Sequence, residues 1–398
     1  MRFTALGFLK AILLNREYQG LSMIFVVKNY RLLEECAKDI LSVIKPTEED
    51  QNKRLGAVKE IVNLVGSLRG VDAAVTVKPF GSFVSKLYAK SGDLDVSVEL
   101  ANYSGFPTGK KRKKNALREL GAALRTKGVA RDVKYILSAR VPVIKYVSNY
   151  YGLPCDISID NYSGRIKSKL LYWINTIDER FGDMVLLVKE WAKAQNINDP
   201  KNGTLSSYAL CLLVISHFQH YEPAILPPMR EIFIASIAEG SGGFNEKHFD
   251  QIWEENIAKF RCREIGQRNP ISLSRILANF FGRNSLNFLT YYAGRTPLMT
   301  KSSCEIVNDP FDRDGAMIKV DVPGFQRIAS AFKRATDIID SYEDTPGRNE
   351  LVSLLCTPEV CSKLGGTATA DRYTGSTGGG PISRPQRYNS GRQGAAPY

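Results

Sequence analysis

Between Gly92 and Leu100 apolar and polar residues alternate, with Leu94, Val96, Val98 and Leu100 set against Asp93, Asp95, Ser97 and Glu99. A period of two marks a half-buried β-strand, so the spacing predicts a strand whose aliphatic face enters a core. Asp93 and Asp95 then share the other face, ~7 Å apart along the chain. Two carboxylates so placed repel each other unless a cation lies between them. Mg²⁺ suits such a place: it is hard, prefers oxygen and keeps positions open for phosphate oxygens. Just upstream runs Pro79-Phe80-Gly81-Ser82-Phe83-Val84-Ser85-Lys86. Gly81 and Ser82 offer close backbone approach, N–H groups and a hydroxyl, the parts that hold a triphosphate.

The chain has 398 residues, enough for two domains, and 43% of them are apolar, which fits a mostly folded protein. Lys and Arg outnumber Asp and Glu by 54 to 41, a net charge of +13. That excess favours a polyanionic partner, nucleic acid first, although a basic surface without a dedicated partner has the same composition. The seven cysteines, at 36, 155, 211, 262, 304, 356 and 361, are scattered and form no Cys-x-x-Cys pair. Reduced thiols in the cytoplasm or nucleus are expected. His217 and His220 have no Cys or third His nearby in sequence to complete a zinc site.

Residues 1–29 are apolar with scattered basic residues, and read equally as a poorly formed targeting segment or an added N-terminal extension. No apolar run reaches the ~18–20 residues of a membrane span. Helical spacing follows through Leu32, Leu33, Cys36, Ile40 and Ile44, then Leu55, Val58, Ile61 and Val65. Pro46-Thr47-Glu48-Glu49 breaks the two, with Thr47 as N-cap of the second. Val71 to Pro79 reads as a short strand. Lys110-Lys111-Arg112-Lys113-Lys114 opens a helix through Leu117, Leu120 and Leu124. Cations at a helix start oppose its dipole, so the run is expected to serve as an RNA-phosphate contact or an import signal as much as a solvated face. Val133–Leu137, Ala139–Tyr146 and Gly152–Ile159 are strand-like, the last two joined as a hairpin at 148–152. Asp156 falls on the polar face of the last strand and is favoured as a third carboxylate; Asp160, at its end, is the competing assignment.

From Lys167 to about Tyr342 the pattern is mainly helical. One helix carries Lys189 and Lys193 at i, i+4, both able to reach one triphosphate. Ser206, Ser207 and Tyr208 start the next. Beyond Pro346 the composition shifts, and residues 346–398 are expected to form a disordered tail rich in Gly, Ser and Arg.

Together these residues resemble the noncanonical poly(A) polymerase and terminal uridylyltransferase family. The resemblance is carried by Pro79-Phe80-Gly81-Ser82, Gly92-Asp93-Leu94-Asp95, Cys155-Asp156-Ile157-Ser158-Ile159-Asp160-Asn161, Leu186-Leu187-Val188-Lys189-Glu190-Trp191-Ala192-Lys193, Gly203-Thr204-Leu205-Ser206-Ser207-Tyr208 and Asn308-Asp309-Pro310-Phe311-Asp312, in the family's order. Further matches, among them Ile44-Lys45-Pro46-Thr47 and Ala224-Ile225-Leu226-Pro227-Pro228, point to the plant branch that uridylates small RNAs. The resemblance implies an α+β fold, a polymerase-β-like nucleotidyltransferase domain (mixed sheet with helices) packed on a mainly helical central, PAP-associated domain. Its boundaries here are an extension at 1–29, a catalytic domain with leading helices at 30–165, a helical domain at 166–345 and the tail at 346–398.

The resemblance further makes Asp93, Asp95 and Asp156 the catalytic and metal-binding triad for two Mg²⁺ ions, with Mn²⁺ as a substitute. It assigns the nucleotide to Gly81, Ser82, Lys189, Lys193, Ser207 and Tyr208, with Lys167 and Ser168 where the family often has Asn-Thr near the ribose. Asp309 and Asp312 would face the base edge. The family usually has Glu at the position of Asp312, and many uridine-selective members carry a His just after this loop; Arg313–Met317 contains none. The expected activity is template-independent addition of uridines to RNA 3′ ends, of small RNAs or fragments. UTP against ATP stays open, and a catalytically weak RNA-binding paralogue is the alternative of another class. Expected partners are the RNA 3′ end and proteins of small-RNA silencing or RNA decay, around a monomer, in the cytoplasm, the nucleus or both.

Overall fold

The computed structural model describes residues 30–67, 75–100, 109–229, 231, 246–263, 269–292, 320–340 and 347–365. Two helices come first, α1 (Tyr30–Ile44) and α2 (Glu48–Gly66). Thr47 caps α2 as expected: its Oγ1 accepts from Asp50 N while the Asp50 carboxylate accepts from Thr47 N, so two orphan donors are satisfied reciprocally. There follow β1 (Thr76–Phe80), the one-turn α3 (Gly81–Ser85), β2 (Leu94–Glu99), α4 (Lys110–Thr126), β3 (Ala130–Ile136), β4 (Val143–Ser148) and β5 (Pro154–Ile159).

The strands form one mixed sheet in the order β1-β2-β5-β4-β3. Only β2 and β5 are parallel; the other neighbours are antiparallel. The alternation decides which face is which. Leu94, Val96 and Val98 of β2, Cys155, Ile157 and Ile159 of β5, and Ile144 and Tyr146 of β4 are all buried on one face. Against them pack Leu117, Leu120 and Leu124 of α4 and Ala57, Ile61 and Leu64 of α2. Each large side chain so buried contributes about 1.5–3 kcal/mol. With that face committed, the pleat turns Asp95 and Asp156 to the other. The β4–β5 hairpin has the predicted turn: Gly152 takes a left-handed conformation (φ 62°) and donates to Ser148 O at 2.9 Å.

The rest is helical among the described residues: α5 (Tyr162–Asn175), α6 (Glu179–Ala194), a 3-10 turn (Pro200–Asn202), α7 (Ser207–Gln219), α8 (Glu246–Arg263), α9 (Leu273–Tyr292) and α10 (Val322–Ile339). Their core is aromatic. Trp191 of α6 lies 4.8 Å from Phe281 of α9 and 4.7 Å from Phe332 of α10, ring centre to ring centre, edge to face. No described helix is long and apolar enough to cross a membrane.

Two expectations about boundaries are corrected. Helix α1, expected with the catalytic domain, buries Leu33, Cys36, Ala37, Ile40 and Ile44 in the helical core instead. Its apolar stripe faces α6 and α9, and only α2 supports the sheet. The tail does not begin at 346. Residues 348–363 form α11 (Arg348–Leu355) and α12 (Pro358–Lys363), which pack on α1 and, for α11, on α6. Leu351, Val352, Leu354 and Leu355 are buried there. The segment holds enough aliphatic surface to fold once a groove receives it, although it is too short to be stable alone. The remaining tail and residues 1–29 lie outside the described residues.

Candidate active site

The site starts at the junction of β1 and α3. Phe80 is extended and Gly81 is left-handed (φ 70°), a conformation that costs glycine little. The turn lies directly on β2: a β-carbon at Gly81 would collide with Asp95 Oδ2. Glycine is therefore required twice, for its φ and for the space. The turn is held from below by Ser168 of α5, whose hydroxyl accepts from Gly81 N at 2.6 Å and donates to Gly164 O at 2.6 Å.

Strand register then gathers the carboxylates. Asp95 pairs with Asp156 across the parallel β2–β5 ladder, and Asp156 pairs with Lys145 across β5–β4. One row thus reads Phe80, Asp95, Asp156, Lys145 and, on β3, Lys134. Lys145 Nζ hydrogen-bonds Asp156 Oδ2 and stands 4.0 Å from Asp93. Burial, then the charges of Asp93 and Asp156, push Asp95 up to about 8. Asp156 is also raised, chiefly by burial, with the Lys145 hydrogen bond working against it. Burial opposes the charge on Lys145, but its bond to Asp156 and the nearby carboxylates outweigh this and hold its pKa above the ordinary value.

Asp160 belongs elsewhere. It follows β5 in a left-handed conformation (φ 46°), and its carboxylate accepts from Leu100 N at 2.9 Å at the opposite end of the strand. Asp156, not Asp160, stands beside Asp95.

The helical side supplies the facing wall of a cleft of about 860 Å³, a size that suits a nucleotide. Gly81, Ser82, Asp93 and Asp95 line it from the sheet; Lys167, Lys189, Lys193, Ser207 and Tyr208 line it from the helices. Lys189 is deeply placed, donating to Leu87 O at 2.9 Å, and burial, joined by the charge of Lys193, lowers its pKa. A half-buried ammonium that feels the charges of Asp93 and Asp95 and faces open space is suited to an anion. Lys167 Nζ lies 5.0 Å from the centre of the Tyr208 ring, so these two meet within the cleft. Ser206 caps α7, accepting from Ala209 N at 3.1 Å, which sets Ser207 and Tyr208 at the helix start. Ser168 lines the cleft too, but its hydroxyl is engaged by the Gly81 turn. Asp309 and Asp312 lie outside the described residues.

The donor set fits a hard divalent ion: Asp95 and Asp156 lie side by side on one sheet face with Asp93 next to them, and Asp95 is raised first by burial and then by the charges of the other two. Among the described residues no three His, Cys, Asp or Glu side chains already form a metal cage.

Three supporting residues escaped the reading of the sequence. Arg54 of α2 is buried and donates to the carbonyls of Ala89 (3.4 Å), Lys90 (3.1 Å) and Gly92 (2.6 Å), tying down the loop that delivers Asp93. Its signal was an arginine on the apolar stripe with Ala57, Ile61 and Leu64. Lys145 was legible from the hairpin, whose turn sets Lys145 opposite Asp156. Glu190 of α6, also buried, accepts from Thr357 N (3.1 Å) and Oγ1 (2.6 Å), and nothing local marked a partner so distant in sequence.

Comparison with known proteins extends the picture. A family model described as poly(A) RNA polymerase, mitochondrial-like, central palm domain matches residues 33–176. Protein HESO1 of Arabidopsis thaliana is 41% identical over 351 residues, covering 83% of this chain and 68% of that protein. The chain spans 68% of HESO1 but only 14% of terminal uridylyltransferase 4 of Mus musculus. Two solved structures share the fold. One is mtPAP in complex with UTP (TM-score 0.64, 20% identity, 82% of this chain and 72% of that one). The other is the Cid1 poly(U) polymerase with MgGTP bound (TM-score 0.59, 22% identity, 81% and 99%).

Proposed function

The chain belongs to the noncanonical poly(A) polymerase and terminal uridylyltransferase family, and on that premise we propose that it adds uridines to RNA 3′ ends without a template. The observation that carries the reading is the pairing of Asp95 with Asp156 on adjacent strands of one sheet face, with Asp95 against the Gly81 turn and in a nucleotide-sized cleft that Lys189 also lines. A relative named terminal uridylyltransferase 4, from Homo sapiens, is 28% identical over 58% of this chain and 14% of its own length, and supports the choice of uridine.

In this reading Gly81 and Ser82 receive the triphosphate through backbone N–H groups and a hydroxyl. Lys189 and Lys193 neutralise it, and Tyr208 offers its ring to the base, a contact nearly blind to base identity. Lys167, held over Tyr208, adds a cation at that wall of the cleft, and Ser207 reaches a phosphate. Asp93, Asp95 and Asp156 would hold two Mg²⁺ ions, with Mn²⁺ as a substitute, supplying Lewis-acid activation of the RNA 3′-hydroxyl and stabilisation of the leaving pyrophosphate. Lys145 keeps Asp156 oriented and ionised. Base selection falls to Asp309 and Asp312.

The substrate class is the 3′ end of small RNAs or RNA fragments, with silencing or decay proteins as partners of a monomer. Residues 30–165 and 166–345 serve as the catalytic and helical domains, less the α1 helix. The scattered cysteines, with no Cys-x-x-Cys pair, favour a reducing compartment, cytoplasm or nucleus.

One competition assay tests the reading: a labelled short RNA, Mg²⁺ and all four nucleotides together. UTP is expected to be incorporated best, with ATP detectable. If ATP wins by tenfold or more, the enzyme is an adenylyltransferase.

A further inference from the structure

Besides Lys167, which meets Tyr208, the cations of the cleft face different parts of the carboxylate row. Lys189 lines the cleft with the Gly81 turn and bears electrostatically on Asp93 and Asp95, on the β1–β2 side, with Lys193 lining the same wall and coupled to Lys189. Lys201, in the 3-10 turn between α6 and α7, lines the same cleft and bears electrostatically on Asp156, on the β5 side. Arg140, in the β3–β4 turn, lines the cleft from the sheet on that side.

Lys201 stands on a rigid base. Asp199 accepts from Lys201 N at 3.1 Å and from Asn202 Nδ2 at 2.6 Å, and exchanges hydrogen bonds with Thr204. Gly203 is left-handed (φ 73°) and packed so closely against Asp321 that no β-carbon fits. Asp321 N donates to Gly203 O at 3.2 Å, and Arg327 of α10 donates to Asn202 O. The polar groups of this loop are consumed in fixing it, while the Lys201 ammonium makes no bond to another described residue.

In-line displacement puts nucleophile and leaving group on opposite sides of the α-phosphorus. With the triphosphate on Gly81, Ser82, Lys189 and Lys193, pyrophosphate departs on the β1–β2 side. The strand bearing the 3′-hydroxyl must then enter from the β5 side. We propose that Lys201 binds the terminal phosphodiester of the RNA being extended, and so positions its 3′ end over Asp156; this rests on the nucleotidyltransferase reading of the site. A single ammonium on a fixed loop suits one backbone phosphate and carries no base preference.

The test uses the full chain with Lys201→Ala, Lys201→Glu and Lys201→Arg. KM is measured for a short single-stranded RNA and for UTP, and equilibrium RNA binding without nucleotide is followed across a salt series. Lys201→Ala should raise KM for RNA about tenfold, the scale of one charge-assisted contact, with KM for UTP unmoved. The slope of log affinity against log salt should fall by ~0.7. Lys201→Glu should be worse, and Lys201→Arg should recover most of the loss. A parallel rise in KM for UTP would place Lys201 on the triphosphate and overturn the proposal; unchanged RNA parameters and slope would make it a solvated surface lysine. If the wild-type chain extends no RNA, the functional reading fails separately, and the salt series still decides whether Lys201 holds a strand.

Discussion

Gly81 and Asp95 touch: the left-handed turn after β1 lies so close to β2 that any side chain at 81 would occupy the space of the Asp95 carboxylate. The Gly81 turn and the carboxylate pair, separate in sequence, are therefore one object in space. Gly81→Ala should cut nucleotide incorporation at least a hundredfold, because it adds a left-handed strain of about 1–2 kcal/mol and displaces Asp95. Thermal unfolding should move by only a few degrees, since the turn lies at the edge of the core. Single-turnover extension alongside calorimetry checks both.

The carboxylates should separate cleanly by mutation. Asp93→Ala with Asp95→Ala, and Asp156→Asn alone, should each abolish transfer while RNA affinity stays nearly intact. Asp160→Asn should leave turnover measurable and cost about 1–2 kcal/mol of stability through its bond to Leu100 N. Extension assays with urea melts decide the matter; loss of activity in Asp160→Asn with retention in Asp156→Asn would reverse the assignment.

Arg54→Met should release the carbonyls of Ala89, Lys90 and Gly92 and let the loop before Asp93 move. The expected signature is a fall in kcat of tenfold or more at nearly constant KM for RNA, with partial recovery in Arg54→Lys. Steady-state kinetics on the three proteins reads it out.

The two helices beyond 346 strap α1 to the lysine-bearing helix α6. Besides Glu190 and Thr357, Gln195 Nε2 donates to Leu354 O at 2.9 Å, and Arg348 pairs with Asp39 at 2.7 Å. Ending the chain after Gly365 should preserve the melting temperature, raise KM for RNA and flatten its salt dependence. Ending it after Pro346 should strip several large side chains from the core, each worth about 1.5–3 kcal/mol, and abolish activity. Melting curves of the two truncations provide the comparison.

His217 sets an acid limit. Burial drives its pKa down to about 3, helped by the charge of Arg283, while the ring bonds Ile276 O at 3.0 Å and meets Tyr221 OH at 3.1 Å. The unfolded chain, with a histidine pKa near 6.5, binds the proton more readily than the folded one. Stability is thus complete above about pH 6.5 and falls as pH drops through the window down to 3, by roughly 3 kcal/mol at pH 4. Urea melts of wild type and His217→Gln between pH 4 and 8 should differ in slope, the variant lacking this component.

The sequence by itself determined what depends on neighbours along the chain. The alternation in Leu94–Leu100 and Cys155–Ile159 placed Asp95 and Asp156 on the face opposite the aliphatic core, the Gly152 turn set the hairpin, and Thr47 capped α2. Each follows from a local period or a local hydrogen bond. Tertiary structure decided the rest. Helix α1 has an apolar stripe that either body could bury, and the larger aromatic core around Trp191 and Phe281 took it. The segment 347–365 looked like the start of a solvating tail until α1 and α6 offered a groove for Leu351 and Leu355. Ser168, assigned to the ribose by resemblance, is engaged by Gly81, 87 residues earlier. Arg54, Glu190 and the loop under Lys201 likewise find partners tens to hundreds of residues away. Such contacts leave no periodic trace, because only chain folding brings together the groups that must satisfy one another.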